Sequence, residues 1–144
     1  MAELDIMIER ARQAMAHAYA PYSGFAVGAC LRARSGQLYS GCNVENASYP
    51  EGQCAEASAI GAMITAGDRE IVEVVVIASS SQPCPPCGGC RQRLREFARP
   101  ETPVHLCDDQ GVHQTLALGE LLPASFSRDH LVRGLPATRP ASGT

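Results

Sequence analysis

Hydrophobic residues open the chain at helical spacing. Leu4, Ile8, Ala11, Met15 and Ala18 share one face of residues 3–18, which predicts an amphipathic helix. Tyr19-Ala20-Pro21-Tyr22-Ser23-Gly24 ends it, because the residue before proline avoids the α region and glycine breaks what remains. Over residues 27–34 the period changes to two, with Val27, Ala29, Leu31 and Ala33 against Cys30, Arg32 and Arg34. That alternation predicts a strand, Ser35-Gly36 a turn, and residues 37–45 the returning strand of a hairpin. Residues 54–66, rich in Ala, Ile and Met and followed by Gly67, predict a helix with a glycine C-cap. The β-branched run EVVVIA at 73–78 suits a strand covered on both faces. A second short helix over 88–98 stops at Pro100, two strands follow at 103–107 and 112–118, and 119–123 makes a last turn. This order predicts a mixed sheet with helices on its faces, an α/β layered domain over residues 1–132. Residues 133–144, small and proline-rich, predict a flexible tail.

Composition narrows the function. With 144 residues, 45% of them hydrophobic, the chain can bury one sizeable core. A net charge of −3 gives no basic footprint for nucleic acid. All 12 basic residues are Arg, which excludes a lysine Schiff base. No apolar run reaches membrane-spanning length, and the charged, amphipathic N-terminal segment does not read as a secretory signal. Seven cysteines, an odd number and clustered, point to metal binding or chemistry in the cytoplasm.

Two segments carry that chemistry: QCAEAS at 53–58 and PPCGGCRQ at 85–92. Each places cysteine at the start of a predicted helix, where unpaired N–H groups and the helix dipole favour thiolate. One sulfur from the first helix and two from the second make three ligands, leaving the fourth position of a tetrahedral zinc open for water. Glu56 is too close to Cys54 to share the metal easily but can reach such a water, as a general acid–base must. Cys84, Cys87 and Cys90 form two overlapping C-x-x-C pairs, so a structural zinc on Cys54, Cys84, Cys87 and Cys90 also satisfies the spacing. Glu56 favours the catalytic alternative, since a closed four-sulfur site has no use for a proton shuttle.

C-A-E followed by P-C-x-x-C is the pattern of zinc nucleobase deaminases, with Cys in place of the His of H-x-E. AYAPYSGFAVGA at 18–29, GCNVENASYPEGQCAEA at 41–57, PPCGGCRQRLREF at 85–97 and LGELLPASF at 118–126 follow in order. Together they resemble the small homotetrameric cytidine deaminases over about residues 4–130. The resemblance implies a three-layer α-β-α fold, with a mixed five-stranded sheet and helices on both faces. It implies one Zn²⁺ per subunit on Cys54, Cys87 and Cys90, with Glu56 as proton shuttle and Cys84 as an extra. It also implies that Asn43 and Glu45 bind ribose hydroxyls, that Phe25 packs on the nucleoside, and that Ala55 offers backbone contacts to the base. Tyr49 and Phe126 resemble positions lent to a neighbouring subunit's pocket. The implied reaction is deamination of cytidine and deoxycytidine in pyrimidine salvage; an N4-modified cytosine nucleoside or a blasticidin-type antibiotic is the alternative substrate. A non-catalytic zinc module is the remote one.

One departure concerns charge. Many relatives carry Arg after C-A-E, hydrogen-bonded to the ligand thiolates, where this chain has Ala57. The expected substitutes are the helix N-termini and the N–H groups of Gly88 and Gly89, then Gln53 or Arg91. Arg91 is expected to serve the helix end or a subunit interface instead.

Overall fold

Alternation sends Ala29, Leu31 and Ala33 to one side of β1 (Val27–Ala33) and Cys30 to the other, and a separate core forms on each face. The computed structural model describes residues 2–80 and 82–131, so the expected tail from residue 133 lies outside the described residues. β1 pairs antiparallel with β2 (Leu38–Cys42) and with β3 (Ile71–Ala78). β3 pairs parallel with β4 (Pro103–Asp108), and β4 antiparallel with β5 (Gly111–Ala117). The result is the expected mixed five-stranded sheet, in the order β2-β1-β3-β4-β5.

Helices cover both faces. α1 (Glu3–Met15) buries Met7, Ile8 and Ala11 against Cys30, Val75, Ile77 and Cys107. On the opposite face, α2 (Ala55–Thr65) and α3 (Gly88–Phe97) pack Ala59, Met63 and Leu94 over Leu31, Val74, Val76 and Val104. α3 is the crossover that parallel pairing of β3 with β4 requires. Gly67 takes φ of 100° just beyond α2, as the predicted C-cap needs.

Gly41 lets α2 sit directly on β2. A Cβ there would come within 2.5 Å of the Ala59 nitrogen and 2.8 Å of the Ala55 oxygen. Both are backbone atoms, so the helix would have to move as a body. Gly41→Ala is therefore expected to cost about 1–3 kcal/mol or more, the range for overpacking. The midpoint of urea unfolding measures it.

Several boundaries differ from expectation. α1 ends at Met15, because the chain turns there to let Tyr19 bridge Val44. β2 stops at Cys42 rather than residue 45, and β3 begins at Ile71, which pairs with Ala33. Tyr49–Glu51 forms a 3-10 turn, while Leu118–Leu121 (α4) and Arg128–Leu131 (α5) are short helices. None of these three short helices carries a periodicity long enough to read.

A polar cluster lies on the α1 face. Glu73 accepts from both Nε and Nη2 of Arg32 and pairs with His105 Nε2 at 2.7 Å, while His105 Nδ1 meets Thr115 Oγ1 at 2.8 Å. Burial works against the Glu73 charge, but the hydrogen bonds from Arg32 and His105 outweigh it and hold the carboxyl below its ordinary value. A depressed carboxyl contributes stability that is fully present above its unfolded-state pKa and is lost as pH falls through the folded one. Wild type is thus expected to exceed Glu73→Gln in unfolding free energy near neutral pH. The gap should close in acid, as denaturant titrations at a series of pH values would register.

Candidate active site

Three loops converge where β1 and β3 meet the starts of α2 and α3. Val44 bridges Tyr19 on one side and Gln53 on the other, with Val44 N to Gln53 O and Gln53 N to Val44 O both 2.8 Å. That stitching keeps residues 43–45 extended beyond the end of β2, so Asn43 and Glu45 still face one way. It also sets them beside Cys54, the N-cap residue of α2. Cys87 occupies the same position on α3, and its Sγ accepts from the Cys90 backbone N–H at 3.4 Å.

The sulfurs of Cys54, Cys87 and Cys90 all lie within 4.8 Å of one another. Cys54 Sγ and Cys87 Sγ are 3.9 Å apart, against about 3.8 Å for two sulfurs each about 2.3 Å from one tetrahedral zinc. Burial raises the Cys54 and Cys90 thiols above their ordinary value, helped by the charge of Cys87 at Cys54 and by those of Glu56 and then Cys54 at Cys90. The Cys87 thiol is lowered despite burial, because Cys90 donates to it. A cluster that resists carrying negative charge by itself is one that a divalent cation deprotonates on binding. Donor type, spacing and electrostatics all fit zinc.

Glu56 stands beside the cluster and is only 4% exposed. Burial raises its carboxyl above the ordinary range; a hydrogen bond with Cys90 and the charge of Arg93 pull weakly the other way. A buried carboxyl with a raised pKa, next to a metal-ligating cluster, can both take and release a proton near neutrality.

A cleft of about 300 Å³ leads to these groups, lined by Phe25, Asn43, Glu45, Ala55, Glu56 and Cys84 among others. Asn43 is largely committed to the wall: its Oδ1 accepts from Val27 N at 2.9 Å and its Nδ2 donates to Phe25 O at 2.8 Å. Glu45 is held by Ser23, whose hydroxyl and backbone N–H both donate to the carboxylate, and by Tyr22 N at 3.0 Å. The Ser23 hydroxyl bond, more than any other contact, keeps the Glu45 carboxyl below its usual value. Ser23 is a positioning residue that the sequence reading passed over; the only signal was its place in the Pro-Tyr-Ser-Gly turn.

Tyr49 and Phe126 do not line this cleft. Tyr49 is 76% exposed, with its ring edge on Tyr22 at 5.9 Å, and the two flank a neighbouring hollow that meets the cleft at Ser23 and Glu45. Phe126 is 53% exposed and stacked on His130. α3 anchors its segment through Gln92 Nε2 to Phe126 O and Arg95 Nε to Ser125 Oγ, both 2.9 Å.

Cys84 stands outside the three-sulfur cluster, as an extra cysteine should, while forming part of the cleft wall. One expectation needs correction: it is the Cys90 N–H, not those of Gly88 or Gly89, that reaches a cluster sulfur. Arg91, as expected, serves the helix end, donating to Pro86 O at 2.8 Å and Leu121 O at 2.7 Å.

Comparison with known proteins agrees with this geometry. The chain is 40% identical over 127 residues to a cytidine deaminase of Halalkalibacterium halodurans, covering 88% of this chain and 96% of that one. It is 40% identical over 123 residues to a cytidine deaminase of Mycobacterium tuberculosis, covering 85% and 89%. The crystal structure of cytidine deaminase from Burkholderia pseudomallei matches with a TM-score of 0.81 at 41% identity, over 88% of this chain and 100% of that one. Residues 1–106 match the family model described as the cytidine and deoxycytidylate deaminase zinc-binding region, and the chain belongs to that family.

Proposed function

We propose that this chain is a zinc-dependent hydrolase that converts cytidine and deoxycytidine to uridine and deoxyuridine, releasing ammonia. The observation that carries the reading is the buried Glu56 carboxyl beside the Cys54, Cys87 and Cys90 cluster, at the inner end of a cleft of nucleoside size. Its relatives named cytidine deaminase support the substrate class.

In this reading the three thiolates hold one zinc, which supplies a Lewis acid that makes water nucleophilic at neutral pH. Glu56 takes a proton from the attacking water and delivers it to N3 of the base. Oxygen adds to C4; Glu56 then takes the second proton, from the new C4 hydroxyl, and gives it to the departing amine, so the C4–N4 bond breaks to leave a C4 carbonyl and ammonia. Its raised pKa suits a group that must hold that proton between the two transfers. Ala55 would offer backbone groups to the base and Phe25 an apolar wall. Asn43 and Glu45 keep only the hydrogen-bonding capacity that their wall contacts leave, which they would turn to the sugar hydroxyls.

Tyr49 and Phe126, exposed in the single chain, would complete a neighbouring subunit's pocket in a homotetramer. The role is cytoplasmic pyrimidine salvage; among the described residues no helix is long and apolar enough to cross a membrane.

Loss of ultraviolet absorbance with cytidine, deoxycytidine, N4-alkyl and N4-acyl cytidines and blasticidin S tests the substrate. Turnover of cytidine and deoxycytidine above the others supports the proposal. Preference for an N4-substituted compound would replace it with that aminohydrolase.

A further inference from the structure

Three thiolates on one Zn²⁺ leave the cluster with a net negative charge, and the buried Glu56 carboxyl beside it can add another. Charge concentrated in this way must be offset nearby, or the metal is held weakly. The Cys90 N–H supplies one dipole to Cys87, but a dipole is a fraction of a full charge.

A cavity of about 490 Å³, sharing no lining residue with the cleft, opens between α2 and α3, with Gln53, Ala57, Gly61, Gln92 and Arg93 in its wall. Ala57 leaves this space open with its single methyl. Arg93 reaches into the same region. Its Nη1 lies 3.0 Å, and the Sγ of Cys87 4.0 Å, from the point a Cβ would occupy on Gly89. The side chain therefore runs back toward the N-terminal end of its helix, as long helical side chains do, and the missing Cβ of Gly89 gives it room.

The three arginines of α3 differ in employment. Arg91 is bonded to Pro86 O and Leu121 O, and Arg95 to Ser125 Oγ and Ala98 O. Among the described residues Arg93 has no hydrogen bond and no ion pair, even with Glu96 in the same cavity wall. Its charge is nevertheless felt at Glu56. A full positive charge within about 7 Å of a ligand sulfur, and committed to no other partner, is what the cluster lacks.

We propose that Arg93 is the cation that offsets the negative charge of the Cys54, Cys87 and Cys90 cluster, acting from the α2–α3 cavity that Ala57 leaves open. Arg93 is then a positioning residue that acts through the ligands and touches neither substrate nor reacting atoms. The inference rests on the reading of the three cysteines as a zinc site.

The test uses the full chain as wild type, Arg93→Gln and Arg93→Lys, each loaded with zinc. Zinc per chain is measured by elemental analysis, and zinc loss is followed in excess chelator at low and high salt. Arg93→Gln is expected to lose zinc about 10- to 100-fold faster than wild type, the range for outer-shell partners. Arg93→Lys should stay near wild type, and added salt should narrow the gap. Metal-free wild type and Arg93→Gln should melt together, since the charge matters only when the thiolates are ionised. Equal zinc loss from wild type and Arg93→Gln would overturn the proposal and leave the zinc site standing. Equal impairment of the Gln and Lys variants would overturn it too, by making shape and not charge the cause. If wild type itself takes up no zinc, the underlying site reading fails and this inference falls with it.

Discussion

Glu56→Gln is expected to lower cytidine turnover by roughly 10²- to 10⁴-fold, the range for loss of general acid–base catalysis, with zinc content unchanged. The variant isolates the proton because little else changes. Glutamine has nearly the same shape and volume, so the packed position at 4% exposure is preserved. Burial already disfavours the charged carboxylate, so a neutral amide should cost little in folding. Glutamine cannot accept a proton from water and give it to the base, and both transfers fail together. The rate of wild type should also depend on pH through a group above the ordinary glutamate range, and that limb should vanish from the residual rate of the variant. Zinc retained with wild-type turnover would remove Glu56 from the mechanism.

Cys87→Ser is expected to abolish stoichiometric zinc and to lower turnover by about 10³-fold or more, because losing the Lewis acid removes several kcal/mol of charge stabilisation. Serine is nearly isosteric, yet its hydroxyl is far harder to ionise than a thiol, so two sulfurs remain where three are needed. The N-cap contact from Cys90 N also weakens, which makes Cys87 the most exacting of the three positions. Cys84→Ser provides the contrast. Cys84 contributes to the cleft wall but stands outside the cluster, so zinc content should be unchanged and turnover close to wild type. Zinc loss from Cys84→Ser would restore the four-sulfur structural site that cysteine spacing alone permits.

Much of this was legible from periodicity. The strand of residues 27–34 and the helices at 54–66 and 88–98 follow from alternation, helical spacing, Gly67 and Pro100, and all three form within a residue of those bounds. The thiol cluster was legible as well, because C-A-E and C-x-x-C both fall at helix starts. What stayed hidden depends on contacts between distant segments. Tyr19 and Gln53 hold residues 43–45 extended after β2 has ended, and a strand reading cannot distinguish that from continued pairing. The amide of Asn43 turns inward to Phe25 and Val27, and no spacing rule predicts that the wall would take it. Cys84 illustrates the same limit: spacing cannot tell that it lines the cleft without joining the cluster. The charge balance beside Ala57 was a question the composition raised. Its proposed answer, Arg93, needed the α2–α3 cavity to be seen.

The central claim is that one zinc on three thiolates makes this chain a cytidine deaminase. The most direct measurement titrates zinc into metal-free protein while following ammonia and uridine formation from cytidine. Turnover should rise in proportion to bound zinc and level off at one zinc per chain. Protein that reaches one zinc per chain and releases no ammonia from cytidine would contradict it.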